Sequence, residues 1–192
     1  MNEIKKAIGA SAKLILSMAR DTAEISRICR LVVKCLKSGG KVMTAGNGGS
    51  AAEALHMSEE FVGRFRSNRR SLPAVSLVAD PTALTCIAND FGYDHVFDRQ
   101  IEGLGRKGDV LVLFSTSGNA KNLMLALNQA KDMGIKTVAL LGREGGPMAG
   151  KADLQVIVRG TATERIQEAH QVLLHIILDA VEKAFAVKTK KM

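Results

Sequence analysis

The chain has 192 residues, 46% of them hydrophobic and 24% charged, which suits one domain with a substantial core. No stretch approaches the ~18 consecutive apolar residues of a membrane span, so no membrane association is expected. The net charge of +8 gathers in "RFRSNRR" (64–70) and "KTKK" (188–191). With six Phe, one Tyr and no Trp there is little to stack on bases, so an anionic small substrate and a solvated tail explain the charge better than nucleic acid.

The first forty residues read as helical, with apolar positions at three- and four-residue steps: Ile4, Ala7 and Ile8, then Leu14, Ile15 and Met18, then Ile25, Ile28, Val32 and Leu36. Lys13, Arg20, Asp21 and Glu24 interrupt the apolar run, which fits an amphipathic helix and not a secretion signal. "SGG" at 38–40 closes this region. Cys29, Cys35 and Cys86 form no CxxC pair and are expected to be reduced core thiols in the cytoplasm.

Beyond residue 40, strands and helices alternate. The expected strands are 41–45, 74–79, 109–115, 136–142 and 154–158, and the expected helices 49–65, 82–88, 94–104, 119–133 and 163–186. The strands are apolar throughout, as in a parallel sheet covered on both faces. The expected fold is a three-layer α/β/α sandwich with a five-stranded parallel sheet, flavodoxin-like in class. One domain covers 1–192: a helical region at 1–38, an α/β core at 39–187 and a basic tail at 188–192.

Two loops at strand ends look alike. The first strand runs into "GNGGS" (Gly46 to Ser50) and the third into "STSGN" (Ser115 to Asn119), each followed by a helix. Glycines let backbone approach a ligand, helix N-termini present free N–H groups, and hydroxyls add donors, so a phosphate is the expected occupant. The alternative is a pair of tight turns with helix-capping serines. "GNGGSA" also satisfies G-x-G-x-x-A, but the acid ending the second strand, Asp80, lies too far along for a dinucleotide site, and no GK[ST] is present.

On the helix after the first loop, His56 and Glu60 stand four apart and share a face, while Glu59 points elsewhere. Such a pair is often only solvated surface; here its helix starts at the candidate phosphate loop, which puts His56 ~10 Å along the axis. The last helix carries an apolar stripe through Ile166, Ala169, Leu173, Ile176, Ile177 and Ala180, flanked by Gln167 and His175. His175 reads as a core or interface histidine and His170 as a surface one.

Four segments in order, "GNGGSAAEALHMSEEFVGRF", "IANDFGYDHVF", "GDVLVLFSTSGN" and "RIQEAHQVLLH", resemble the sugar-isomerase (SIS) family, and within it the members that isomerise a seven-carbon phosphosugar. The resemblance runs from the N-terminal helices to about Phe185. It implies a cytoplasmic homotetramer, assembled through the N-terminal helices, that converts sedoheptulose 7-phosphate to D-glycero-D-manno-heptose 7-phosphate. That is the first step toward the nucleotide-activated heptose of lipopolysaccharide core or other surface sugars.

The resemblance also implies one zinc ion per subunit on His56, Glu60, Gln167 and His175. Substrate contacts fall on Asn47, Gly48, Gly49, Ser50, Glu60, Arg64, Asn89, Asp90, Ser115, Thr116, Ser117, Asn119 and Gln167. Two positions depart from the family pattern: Ala120 stands where a serine is common, and Glu164 where an aspartate is.

Ketose–aldose conversion moves a hydrogen between adjacent carbons through an enediol, which needs a base at carbon and a proton carrier at oxygen. Glu60 is assigned the first role and His175 the second. Gln167 and His175 stand eight apart, ~12 Å along a helix, so a shared ion must lie between them or one of the two must come from another subunit. Rival readings are a non-catalytic SIS protein that binds a replication-initiation factor, a sugar-phosphate-sensing regulator with a nucleic-acid surface, and an isomerase of another phosphosugar.

Overall fold

The computed structural model describes residues 2–186, so the 188–192 tail lies outside the described residues. The elements are α1 (Asn2–Ser17), a 3-10 turn (Met18–Asp21), α2 (Thr22–Lys37), β1 (Val42–Gly46), α3 (Gly49–Val62), β2 (Ala74–Ser76), α4 (Pro81–Phe91), α5 (Asp98–Leu104), β3 (Val110–Ser115), α6 (Lys121–Asp132), β4 (Lys136–Gly142), β5 (Leu154–Val158) and α7 (Thr163–Phe185).

The five strands pair in the order β2-β1-β3-β4-β5, all parallel. Successive side chains leave opposite faces of each strand and feed two cores. Val42, Val110, Val112, Phe114, Val138 and Leu140 pack with α2, α3 and α7. Met43, Ala45, Leu111, Leu113, Ala139 and Leu141 pack with α5 and α6. Phe61, Phe97 and Phe114 are fully buried, each contributing ~2–3 kcal/mol by leaving water. This is the three-layer sandwich expected from the unbroken apolar strands.

β1 and β3 are neighbours, and the chain leaves them in opposite directions across the sheet. Their carboxyl ends therefore open one crevice, and the loops after them are the two glycine- and serine-bearing stretches. Inside, the Thr44 hydroxyl donates to Ala54 O at 2.7 Å and ties β1 to α3.

Several boundaries differ from expectation for local reasons. β2 stops at Ser76 because the chain turns toward α4, whose start is capped by Asp80 Oδ1 accepting from the amides of Thr82 and Ala83. A short edge strand also exposes little unpaired backbone. α3 ends at Val62 with Gly63 next, and the segment expected at 94–104 divides into a 3-10 turn (Tyr93–His95) and α5.

Three side-chain readings are corrected. His170 is fully buried, because it sits on the α7 face turned to the sheet. Ile176, placed in the apolar stripe, is 40% exposed, since the stripe turns away from it. Among the cysteines Cys35 is buried, Cys29 half-buried and Cys86 exposed on α4.

The basic run 64–70 is largely a strap. Arg69 Nε donates to Glu182 Oε2 at 3.0 Å, with the two side chains 2% and 8% exposed. The remaining Arg69 nitrogens donate to the carbonyls of Glu60, Phe61 and Arg70, closing the C-terminal end of α3. Glu182 Oε1 accepts from the Ser67 amide and hydroxyl. Arg66 pairs with Asp179 at 2.7 Å. The strap fastens the end of α3 to the end of α7.

Burial pushes the Glu182 carboxyl up, but Ser67 and Arg69 outweigh it and hold the group below the ordinary carboxylate range. A lowered folded value means stability that is present above the unfolded carboxylate range and lost as pH falls through the folded value. Glu182→Gln is expected to cost ~3 kcal/mol at pH 7 by leaving the buried Arg69 without its counter-charge, and to flatten the fall in unfolding midpoint below pH 5. Thermal melts of both proteins between pH 3 and 7 check it.

Candidate active site

The crevice begins with two loops whose helices carry no side-chain cap. Gly48 precedes α3 and Ala120 precedes α6, and neither position offers a side-chain hydrogen bond to the first turn. The serines are thus not N-caps, and the first-turn N–H groups of both helices remain free of side-chain acceptors. Ala120, where a serine was the expected pattern, sits in extended backbone at that entry.

In the first loop Gly48 adopts φ +58°, and Ser50 is buried. In the second, Ser115 Oγ accepts from Gly118 N at 3.0 Å and Ser117 Oγ from Asn119 N at 3.3 Å. Gly118 (φ +62°) lies so close to the Gly145 carbonyl that no side chain fits. Thr116 and Ser117 are half-buried and Asn119 is exposed.

Asn47 links the loops. Its amide exchanges hydrogen bonds with Asn122 of α6 at 2.9 and 3.0 Å, and its Oδ1 also accepts from the Tyr93 hydroxyl at 3.0 Å. Tyr93 follows Asn89 and Asp90, both exposed near the end of α4, where Asn89 Nδ2 donates to Asp90 Oδ1 at 2.8 Å. Sequence reasoning missed Tyr93 and Asn122. Tyr93 lay inside the quoted "IANDFGYDHVF" stretch as the only tyrosine of the chain, whereas nothing marked Asn122.

The other wall is α3 against α7. His56 Nδ1 lies 3.1 Å from Gln171 Oε1 and its Nε2 lies 3.4 Å from Glu60 Oε1. A carbonyl oxygen only accepts, so Nδ1 carries the proton in the neutral ring and Nε2 faces Glu60 with its lone pair. Two acceptors that close call for a cation or a proton between them. Among the described residues His56, Glu59 and Glu60 form a group whose ligand atoms lie within 4.8 Å of one another. Glu59, expected to point elsewhere, is exposed but within that reach.

His175 completes this wall. Its ring is edge-on to His56 at 5.3 Å between centroids and stacks on Phe65 at 5.8 Å; the Arg66 guanidinium lies over the Phe65 ring at 4.8 Å. Burial pushes the His175 imidazole below its ordinary value, His56 adds to that, Glu60 opposes it, and Arg66 lowers it further. At neutral pH the ring is therefore mostly neutral, able to accept a proton.

Gln167, Gln171 and His175 follow at four-residue steps on one side of α7. Gln167 packs against Gly49 so closely that a Cβ there would overlap its amide, which puts it beside the first loop. Gln171, missed in the sequence, holds His56 between Gln167 and His175; the four-residue step was the available signal. Arg64 is exposed beyond α3, donating to Asn68 Oδ1 at 3.0 Å, and Glu164 is exposed beside Arg165.

Residues 8–142 match the SIS domain model. The chain is 46% identical over 172 residues to the phosphoheptose isomerase of Vibrio cholerae, covering 89% of this chain and 90% of that one. It is 44% identical to the phosphoheptose isomerase of Citrifermentans bemidjiense over 98% of each. The chain belongs to the SIS-domain family of phosphoheptose isomerases. The solved phosphoheptose isomerase of Neisseria gonorrhoeae superposes with a TM-score of 0.89 at 36% identity, covering 95% of this chain and 98% of that one. The contact of Gly49 with Gln167 sets the first loop against the α3–α7 wall.

Gly49→Ala tests the contact between the two halves of that crevice. Only the end of the Gln167 side chain must move, so the unfolding midpoint should stay within a few degrees of wild type while affinity for a phosphosugar falls at least tenfold. Calorimetry of binding alongside thermal melts reads both.

Proposed function

We propose that this chain isomerises sedoheptulose 7-phosphate to D-glycero-D-manno-heptose 7-phosphate. The supporting observation is the meeting of Glu60, His56 and His175 on one wall of a crevice whose floor is the pair of uncapped loops. Asn47, Gly48, Gly49, Ser50, Ser115, Thr116, Ser117 and Asn119 take the phosphate. Arg64, Asn89, Asp90 and Gln167 take sugar hydroxyls.

Glu60 removes the proton from C1 of the ketose and returns it to C2. His175, mostly neutral, takes the proton from the C1 hydroxyl in making the aldehyde and returns one to the oxygen on C2. Phe65 stacks on the His175 ring and shields that face of it from solvent. His56, Glu60, Gln167 and His175 would hold the zinc; of these, His56 and Glu60, together with Glu59, bring ligand atoms within 4.8 Å of one another, and imidazole and carboxylate are ordinary zinc ligands. Bound there, zinc supplies Lewis-acid polarisation of the substrate oxygens.

The same reading covers assembly and place in the cell. α1 buries no residue, and Ile4, Ile8 and Leu16 on it are 65–73% exposed. Leu55, Val62 and Ile176 are exposed beside the site wall. A homotetramer formed through the N-terminal helices covers these surfaces. No helix among the described residues is long and apolar enough to cross a membrane. The protein works in the cytoplasm as a single domain, 1–38 helical and 39–187 α/β, and supplies heptose for lipopolysaccharide core or other surface sugars.

Turnover of sedoheptulose 7-phosphate with added zinc is the direct test. Glu60→Gln should lower kcat ~10³-fold with substrate affinity within about threefold. Wild-type-like rates in that variant would remove the base assignment; no aldose from the wild type would remove the isomerase reading.

A further inference from the structure

Beneath the catalytic wall, a second acid–imidazole pair joins the same two helices. Glu53 is one turn before His56 on α3, and His170 lies between Gln167 and Gln171 on α7. Glu53 is 2% exposed and His170 fully buried. His170 Nδ1 stands 3.8 Å from Glu53 Oε2, and both Glu53 oxygens and His170 Nδ1 lack a hydrogen-bond partner within the protein.

The other ring nitrogen fixes the chemistry. His170 Nε2 lies 3.2 Å from Leu141 O at the end of β4, and a carbonyl accepts only, so Nε2 carries a proton. In a neutral ring Nδ1 is then an acceptor facing a carboxylate acceptor. The two groups face each other at 3.8 Å without a hydrogen bond between them. The pair links three elements: β4 through Leu141, α7 through His170 and α3 through Glu53.

A buried polar pair with unmet hydrogen-bonding capacity is poor at stabilising a fold, and apolar residues of like volume often do as well or better. Its location gives it another use. The reacting groups divide between α3, with His56 and Glu60, and α7, with Gln167 and His175. Their relative height is set by how α7 seats on β4 and how α3 seats on α7, which are the two junctions this pair spans.

We propose that Glu53 and His170 are positioning residues for the isomerisation, setting the register of α3 against α7 at a cost in stability. The proposal rests on the isomerase reading of the site. A merely structural pair would lose stability and activity together when replaced. A positioning pair separates the two.

The experiment compares wild type, Glu53→Leu and Glu53→Gln by thermal unfolding and by kcat and KM with sedoheptulose 7-phosphate. Glu53→Leu keeps the His170–Leu141 bond and removes the link to α3. It should melt at or above the wild-type temperature, with kcat reduced at least tenfold and KM within threefold. Glu53→Gln can donate an amide N–H to His170 Nδ1, so its kcat should lie within threefold of wild type. Wild-type kcat in Glu53→Leu would overturn the proposal, as would a tenfold loss in a folded Glu53→Gln. If Glu53→Leu does not fold, Glu53→Met takes its place; failure of both would make the pair a stability element and overturn the proposal. A wild type without turnover would instead bring down the isomerase reading, and this proposal with it.

Discussion

The packing of α3 along α7 is the constraint on which the rest of the molecule depends. The two helices start more than a hundred residues apart, one from the end of β1 and one after β5, yet lie on the same face of the sheet. Three polar contacts of different kinds lie between them. The Arg69–Glu182 strap closes the far end, His56 bonds Gln171 midway, and Glu53 faces His170 beneath. Around these, Ala54, Met57 and Phe61 of α3 and Leu173, Leu174 and Ile177 of α7 belong to one buried apolar cluster, whose removal from water provides most of the adhesion.

That packing joins to a topological fact. In a sheet ordered β2-β1-β3-β4-β5, the chain reverses direction across the sheet between β1 and β3, which leaves a crevice that no connection crosses. The helix leaving β1 carries both the glycine loop and Glu60 in one element, since Glu60 is only three turns from Gly49. α7 arrives independently and adds the imidazole.

Much of this was legible in the sequence. Five apolar runs gave five parallel strands because covering both sheet faces leaves no polar positions to interrupt them. The loops stood out because Gly and Ser directly after a buried strand have few structural excuses. What escaped was tertiary. His170 and His175 lie on one helix five residues apart, and only the seating of α7 on β4 decides that the first is buried. Gln171 looked like an ordinary helix residue until His56 came within reach. The arginines of 64–70 read as a charge cluster, but a guanidinium that finds three carbonyls and a carboxylate is a structural clamp. Such pairings span more than a hundred residues and leave no local trace.

The account stands on His56, Glu60 and His175 acting at one point above the two loops. A crystal soaked with sedoheptulose 7-phosphate and zinc, with anomalous data collected at the zinc edge, tests it most directly. The expected map has the metal peak against His56 and Glu60 with His175 in reach of the sugar, and the phosphate between the Asn47–Ser50 and Ser115–Asn119 loops. A peak on other residues, or a sugar bound away from this wall in every subunit, would contradict it.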